Sequence, residues 1–419
     1  MSIAPMGSPG AGMRVCTRPI PALDRPIELL PDEHGPLCWV RGSQGLVGWG
    51  EAARFTCKGP DRFRDADAWW QQFVSGLDIV DDVQLPGTGA VAFASFAFAS
   101  EPGESVLVVP RVLVGTRDGI GWITEIGTGD APPRMQPVTP VRPPTGIRYG
   151  AGRLPVDRWR QAVAEAVRRM RRGDLYKAVF AHDLLATADG PLDPRFLLSG
   201  LAERYPTCWA FAVDGLVGAT PELLLRRTGT LVSSRVLAGT IWRGELTDDE
   251  LGPALLASRK DREEHRYAKE SMVQRLRPLC TEVSAPTEPS ILRLPNVTHL
   301  ASDITGVLDP VDPPSLLRLT GAVHPTAAVG GTPTGPALQL IAELEDMDRG
   351  RYAGPVGWID GNGDGELGLA LRCAQLSGAT ARLFGGGGIV ADSDPDVEVA
   401  EAAAKMLAVQ SALEGRPVS

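Results

Sequence analysis

Histidine is scarce, with five residues in a chain of 419. The six cysteines (Cys16, Cys38, Cys57, Cys208, Cys280 and Cys373) are scattered and never form a Cys-x-x-Cys pair. No His/Cys cluster has ligand spacing, which argues against zinc. An even cysteine count is weak ground for disulfides in a chain this long, so reduced and mostly buried thiols are expected. Basic charge is in deficit: 42 Lys and Arg face 51 Asp and Glu, for a formal net charge of −9. Without a basic stripe to release phosphate counterions, the chain does not read as a nucleic-acid binder. The run Arg168-Arg169-Met170-Arg171-Arg172 reads as a solvated helix face. The most apolar stretch, residues 89–100, is Ala-rich and too short to span a bilayer. The first residues lack a basic-then-apolar leader pattern. These absences point to a cytoplasmic protein with no membrane partner.

What is present is ordinary for a globular protein: 43% hydrophobic and 22% charged residues, with mean hydropathy near zero. Glycine (48) and proline (36) are abundant, as expected of strands joined by many turns. The length allows two or three domains or one large α+β domain. Residues 1–13 read as a disordered N-terminus and residues 14–129 as short strands with one helix, over 61–77. Within them, residues 105–114 and 119–124 read as a hairpin. Residues 130–149, rich in proline, are a linker or a loop between two halves of one sandwich; residues 150–419 form the remaining region. There the spacing predicts helices over 157–172, 194–204 and 251–277, a helical segment after Pro333, and a last helix from Ser393-Asp394-Pro395. Strands are predicted over 175–181, 208–213, 215–218, 352–359 and 367–372, and two more within 292–308.

Several polar residues stand in settings that call for an account. Lys177 lies in the strand 175–181 among apolar neighbours. On spacing alone such a lysine snorkels or ends an edge strand, and a buried catalytic lysine is the minority reading. Glu222 follows a proline and precedes three leucines. It is either a strand-end acid in water or a carboxyl group with a raised pKa, poised as an acid. Asp261 and Glu264 sit three apart on one predicted helix, as do Glu398 and Glu401 on another. Each pair shares a helix face, and two acids on a helix are ordinarily just solvated. Taken together, the four carboxylates form a candidate hard-oxygen site for Mg²⁺. His299 reads as a hydrogen-bonded core histidine. Arg372, in an apolar run, calls for a carboxylate partner from protein or ligand. The run Asp360-Gly361-Asn362-Gly363-Asp364-Gly365 matches half of an EF-hand loop, but the twelfth position is Leu371, so a hairpin turn is expected. Gly385 to Gly388 are not followed by Gly-Lys-Ser/Thr and are not a P-loop; they permit close approach to an anion.

Taken in order, these blocks resemble the chorismate-utilising enzymes, and within them the isochorismate synthases. The matching residues are Lys177-Ala178-Val179, Ala219-Thr220-Pro221-Glu222-Leu223-Leu224, Leu237-Ala238-Gly239-Thr240 with Arg243, and Lys260-Asp261 with Glu264-His265. They continue with His324-Pro325-Thr326 through Pro333, Arg349-Gly350, Tyr352-Ala353-Gly354-Pro355-Val356-Gly357-Trp358, Arg372, Gly385 to Ile389, and Ser393-Asp394-Pro395 with Glu398, Glu401 and Lys405. The segment from Gly48 to Phe55 also resembles the N-terminal part of isochorismate synthases.

The resemblance implies one large α+β domain with two antiparallel sheets packed face to face and helices outside. It implies chorismate as substrate and Mg²⁺ as cofactor. Lys177 would be the base that activates water for attack at C2, and Glu222 the acid that protonates the departing C4 hydroxyl. Glu264 and Glu401 would hold Mg²⁺, supported by Asp261 and Glu398. Thr240, His324, Tyr352, Arg372, Gly386, Gly387 and Lys405 would bind substrate. Ala238 stands where relatives that use a lysine nucleophile carry that lysine, and leaves room for water. No glutaminase subunit is then expected, and the chain would act as a monomer or homodimer. The product would serve menaquinone or siderophore biosynthesis. The rivals are a salicylate synthase, which also releases pyruvate, and a non-catalytic chorismate-binding protein. The chain departs from the family pattern at His182 (usually arginine), Thr220 (serine), Ala327 (proline) and Gly386 (alanine).

Overall fold

The computed structural model describes residues 10–32, 34–128, 136–242, 247–293 and 297–416. Residues 1–9 of the expected disordered N-terminus, residues 130–135 of the expected linker and the motif residue Arg243 lie outside them. The described residues build two sheets, of thirteen and ten strands. Pairing is antiparallel apart from Arg14–Thr17 against Asp78–Asp81. Among the described residues, no helix is long and apolar enough to cross a membrane.

The N-terminal and C-terminal halves share both sheets. In the larger one, Leu37–Arg41 pairs with Trp209–Val213, Val40 opposite Ala210. In the smaller one, Val91–Ser95 pairs with Pro355–Asp360, Ser95 opposite Val356. The expected linker therefore joins two halves of one sandwich. Its described part is tied down: Thr139 N donates to Pro31 O at 2.7 Å, and the Arg195 guanidinium donates to Thr139 O and Pro140 O. The sheets face each other through one apolar layer that includes Trp39, Phe211, Leu225 and Trp358. A second layer packs helices α3 (Pro194–Arg204) and α8 (Pro395–Leu413) on the outer face of the larger sheet. A third holds α2 (Val156–Arg171) and α7 (Thr334–Glu345). Each fully buried large apolar side chain contributes about 1.5–3 kcal/mol.

The remaining helices are α1 (Arg62–Ser75), α4 (Asp248–Ala257), α5 (Arg259–Leu276) and α6 (Leu316–Val323). Two expectations are corrected. The run 105–114 is two strands, Ser105–Val109 and Val112–Arg117, in different sheets. Pro110 lies between them and has no N–H for a ladder. The expected single helix over 251–277 breaks at Ser258, whose extended backbone ends α4 and whose hydroxyl accepts from Asp261 N to start α5. The glycines Gly385 to Gly388 lie inside the strand Thr380–Ile389 and pair with Val179 to His182. The half EF-hand is a hairpin turn, closed by Asn362 N and Asp364 N donating to the Asp360 carboxylate.

Candidate active site

Two neighbouring strands of the larger sheet, Lys177–Thr187 and Thr380–Ile389, bring the lysine and the glycines together. Lys177 is the first residue of its strand, not a mid-strand residue, and is wholly buried. Its ammonium lies 3.1 Å from Glu264 Oε1. Gly388 must lack a side chain there, because a Cβ would come within 2.0 Å of Glu264 Oε1 and 3.0 Å of Lys177 Cε. A cavity opens beside this pair; Glu264 lines it, and Lys177 does not. Phe180, Ala181 and Gly386 to Gly388 form one wall. Glu222, Ala238 and Thr240 form another, and Tyr352 and Arg372 lie across from them. Lys405 and Glu264 complete the polar lining.

Ala238 and Thr240 are presented by a bulge. In the strand Leu231–Trp242 the register against Val297–Val307 shifts between them, at Gly239. Gly239 has φ +76, and a Cβ there would come within 2.8 Å of Asp261 O. Asp261 accepts from Thr240 N at 3.1 Å and bonds the Ser258 hydroxyl. His265 secures the other side, with Nδ1 donating to Ala238 O at 3.1 Å and Nε2 accepting from Ser302 Oγ at 2.8 Å. Burial holds His265 neutral, pushed down to about 4.

Glu222 lies where Thr220 and Pro221 lead into the strand Leu223–Thr228. It is 4% exposed. Burial, weakly opposed by the Leu237 amide, pushes its carboxyl up to about 8. Arg372 is nearly as buried and takes a left-handed backbone, φ 46. Among the described residues no carboxylate pairs with it; its Nη2 donates to His299 Nε2 at 3.3 Å. That acceptor role leaves the His299 proton on Nδ1, which donates to Thr240 Oγ1 at 2.9 Å. Burial first, then Arg372, holds His299 neutral. His299 thus faces the cavity, a role its Val-Thr-His-Leu setting did not reveal. Arg349 also lines the cavity.

The four expected metal acids do not all point one way. Glu264 of α5 and Glu398 and Glu401 of α8 gather around the glycine backbone: a Cβ on Gly387 would lie 2.8 Å from Glu398 Oε2 and 3.8 Å from Glu401 Oε1. Each is answered by a lysine. Glu264 meets Lys177, Glu398 meets Lys260 at 2.7 Å, and Glu401 meets Lys405. Lys405 also donates to Gly386 O at 2.8 Å. Glu398 is fully buried; Ser393 bonds its Oε1 at 2.7 Å, while its Oε2 has no partner among the described residues. Burial and then Glu401 push its carboxyl up. Asp261 is instead spent on Thr240 and Ser258, as above. Among the described residues no three acidic, histidine or cysteine side chains stand ready as a ligand set.

His324, expected at the substrate, is a correction. It does not line the cavity. Its Nε2 donates to Phe98 O at 3.0 Å, and the ring packs edge-on to Phe98 and against Phe63. The apolar setting pushes it down to about 3. His182 stacks on Trp159, and burial keeps it neutral.

Residues 140–414 match the family model described as chorismate binding enzyme. The chain is 32% identical over 406 residues to the isochorismate synthase MenF of Bacillus subtilis, covering 88% of this chain and 85% of that one. It is 39% identical over 253 residues to the isochorismate synthase EntC of Escherichia coli, covering 59% and 64%. The solved structure of the menaquinone-specific isochorismate synthase of E. coli superposes with a TM-score of 0.78 at 24% identity, covering 96% of this chain and 95% of that one; at that identity it speaks for the fold. With the ordered motifs gathered at one cavity and a family match over most of its length, the chain belongs to the chorismate-binding enzymes.

Proposed function

We propose that the chain is an isochorismate synthase that uses Mg²⁺ and isomerises chorismate by exchanging the C4 hydroxyl for one at C2. The observation that carries this reading is Glu222, a buried carboxyl that stays protonated at neutral pH and faces a cavity containing a buried guanidinium, Arg372, that has no carboxylate partner among the described residues. A ring dianion needs that cation, and a departing hydroxyl needs that proton. Lys177 Nζ, beside Glu264, acts in its neutral form, having first given up its ammonium proton: it takes the proton of a water whose oxygen forms the new bond to C2. Both ring double bonds shift by one position, C1=C2 to C6=C1 and C5=C6 to C4=C5, the C4–O bond breaks, and Glu222 gives its proton to the leaving oxygen, which departs as water. One water enters and one leaves. Ala238 leaves space at this wall, so water serves as nucleophile and no glutaminase subunit is needed. Thr240, His299 and Tyr352 orient the ring and its carboxylates beside Arg372.

The acid cluster fits a magnesium ion. It offers hard oxygens from two helices, close to a glycine backbone, and one buried carboxylate oxygen that has no partner among the described residues. Glu264 and Glu401 would hold the ion, Glu398 would support them, and Lys260 and Lys405 would give up part of their pairing. When bound, Mg²⁺ would neutralise a carboxylate of the substrate. Asp261 acts by fixing Thr240 and the start of α5. The product would serve menaquinone or siderophore biosynthesis.

The test is an NMR time course of chorismate with the purified protein, with and without Mg²⁺. Isochorismate formed only with Mg²⁺, at equilibrium with chorismate and without pyruvate, is the expected result. Stoichiometric pyruvate with salicylate would make the protein a salicylate synthase. Chorismate line broadening without turnover would make it a binding protein.

A further inference from the structure

The strand that begins with Lys177 has an incomplete edge. On one side it pairs continuously with Thr380–Ile389. On the other, the two-residue strand Gly331–Thr332 covers only Lys177 and Ala178, and Arg148–Ala151 covers only Leu184 to Thr187. Gly330 O takes Val179 N at 2.8 Å, and no strand follows. Val179 O and Ala181 N would then be left without a strand partner in a largely buried gap, which is unfavourable for backbone polar groups.

A buried ion pair fills that gap. Arg349 Nη2 donates to Val179 O at 2.6 Å. Ala181 N donates to Glu345 Oε1 at 2.6 Å. The two side chains lock to each other, with Arg349 Nε on Glu345 Oε2 at 2.9 Å and Nη2 on Glu345 Oε1. They are 3% and 1% exposed. Together they offer the strand one donor and one acceptor, two residues apart, as a neighbouring strand would. The same guanidinium donates to Val329 O at 3.1 Å, and the Arg349 carbonyl accepts from Tyr352 N at 3.1 Å. Val179, Ala181, Val329 and Tyr352 all line the cavity. The Arg349 guanidinium rests on the Phe98 ring, 4.1 Å from its centroid.

We infer that Glu345 and Arg349 are a positioning pair that stands in for a missing strand and sets where Lys177 and Tyr352 meet the substrate. The inference rests on the isochorismate synthase reading for its kinetic consequence and on the hydrogen bonds alone for its structural one. A shift of about 1 Å at a reacting group costs on the order of 100-fold in rate. Removing the pair should therefore lower kcat more than it raises KM.

The experiment compares wild type, Glu345→Gln and Glu345→Leu in full-length protein. It measures steady-state turnover of chorismate with Mg²⁺ and deuterium uptake by the peptide that carries residues 177–187. Glu345→Gln keeps an acceptor for Ala181 N but loses the charge that holds Arg349. It should lose roughly tenfold in kcat, with KM changed less than about twofold. Glu345→Leu should lose roughly 100-fold in kcat, and its 177–187 amides should exchange about tenfold faster or more. Partial rescue by the isosteric variant marks positioning rather than bulk stability. Wild-type kcat and wild-type exchange in both folded variants would overturn the inference. If Glu345→Leu does not fold, Glu345→Gln decides alone by the same two readouts. If wild type makes no isochorismate, the functional reading fails, and the exchange result still decides the strand-substitute role.

Discussion

Glu222 and Glu264 line the same cavity, the first buried and the second partly exposed, and their carboxyl groups are driven in opposite directions. Burial acts on both to favour the neutral acid. At Glu222 it prevails and the group rises to about 8, because the Leu237 amide and the more distant Lys177 and Arg372 do little to oppose it. At Glu264 the same burial is outweighed by Lys177, Lys405 and Lys260, and the group stays below its ordinary value. Burial is thus common to the two groups, and the choice of neighbour makes one an acid and the other an anion. The acid faces Ala238 and the leucine strand; the anion faces three lysines.

Four changes would break or sharpen this contrast. The largest effect is expected from Lys177→Ala, which removes the cation nearest Glu264 and the base together. Turnover should fall by roughly 10³–10⁴-fold while chorismate still binds. Retained turnover, measured by NMR, would refute the base assignment.

Glu222→Gln should cost roughly 10²–10³-fold in kcat. It also tests the raised carboxyl through stability. The folded-state value of about 8 lies above the ordinary 4.5, so the folded protein binds more protons than the unfolded chain between those pH values. Wild-type stability should therefore decline from about pH 4.5 to about pH 8 through this group, and Glu222→Gln should lack that part of the slope. Urea unfolding at pH 5 and pH 8 checks it. Parallel slopes for the two proteins would mean that the Glu222 carboxyl is not raised.

Glu401→Gln should weaken Mg²⁺ binding by about 10–100-fold, read by titration calorimetry of the protein with MgCl₂ in the presence of substrate. An unchanged Mg²⁺ titration would remove Glu401 from the metal site. The smallest effect belongs to Ser258→Ala. It removes the cap of α5, the helix that carries Glu264, and should cost about 1 kcal/mol of stability. Urea unfolding at pH 7 measures it. A shift in the midpoint without loss of kcat would show that the cap supports the fold rather than the charge pattern.

The elements with strong local signals were readable in the sequence. The helix Pro194–Arg204 was set by its proline start, and α8 by Asp394 and Pro395. The helix break at Ser258 was not readable, because neighbouring charged residues hide a single extended residue within a helical pattern. Lys177 and Glu222 were legible as polar residues in apolar company, and their roles came from the resemblance. His299 and Arg349 were missed as cavity residues, since their partners are 73 and 170 positions away in the chain for the Arg372 and Val179 contacts. His324 failed for the opposite reason. Its motif marked it, but the folded chain encloses it between aromatic rings away from the cavity.

The sequence alone determined the family motifs, the helix starts, the glycines that allow close approach and the supply of carboxylates, because each depends on local geometry or on residue identity. The tertiary structure alone decided which glutamate stays protonated, which acids cluster and which serve as caps, and how the open edge of the Lys177 strand is closed. Those outcomes depend on dehydration and on charges brought together from distant segments, and neither is set until the two sheets have packed.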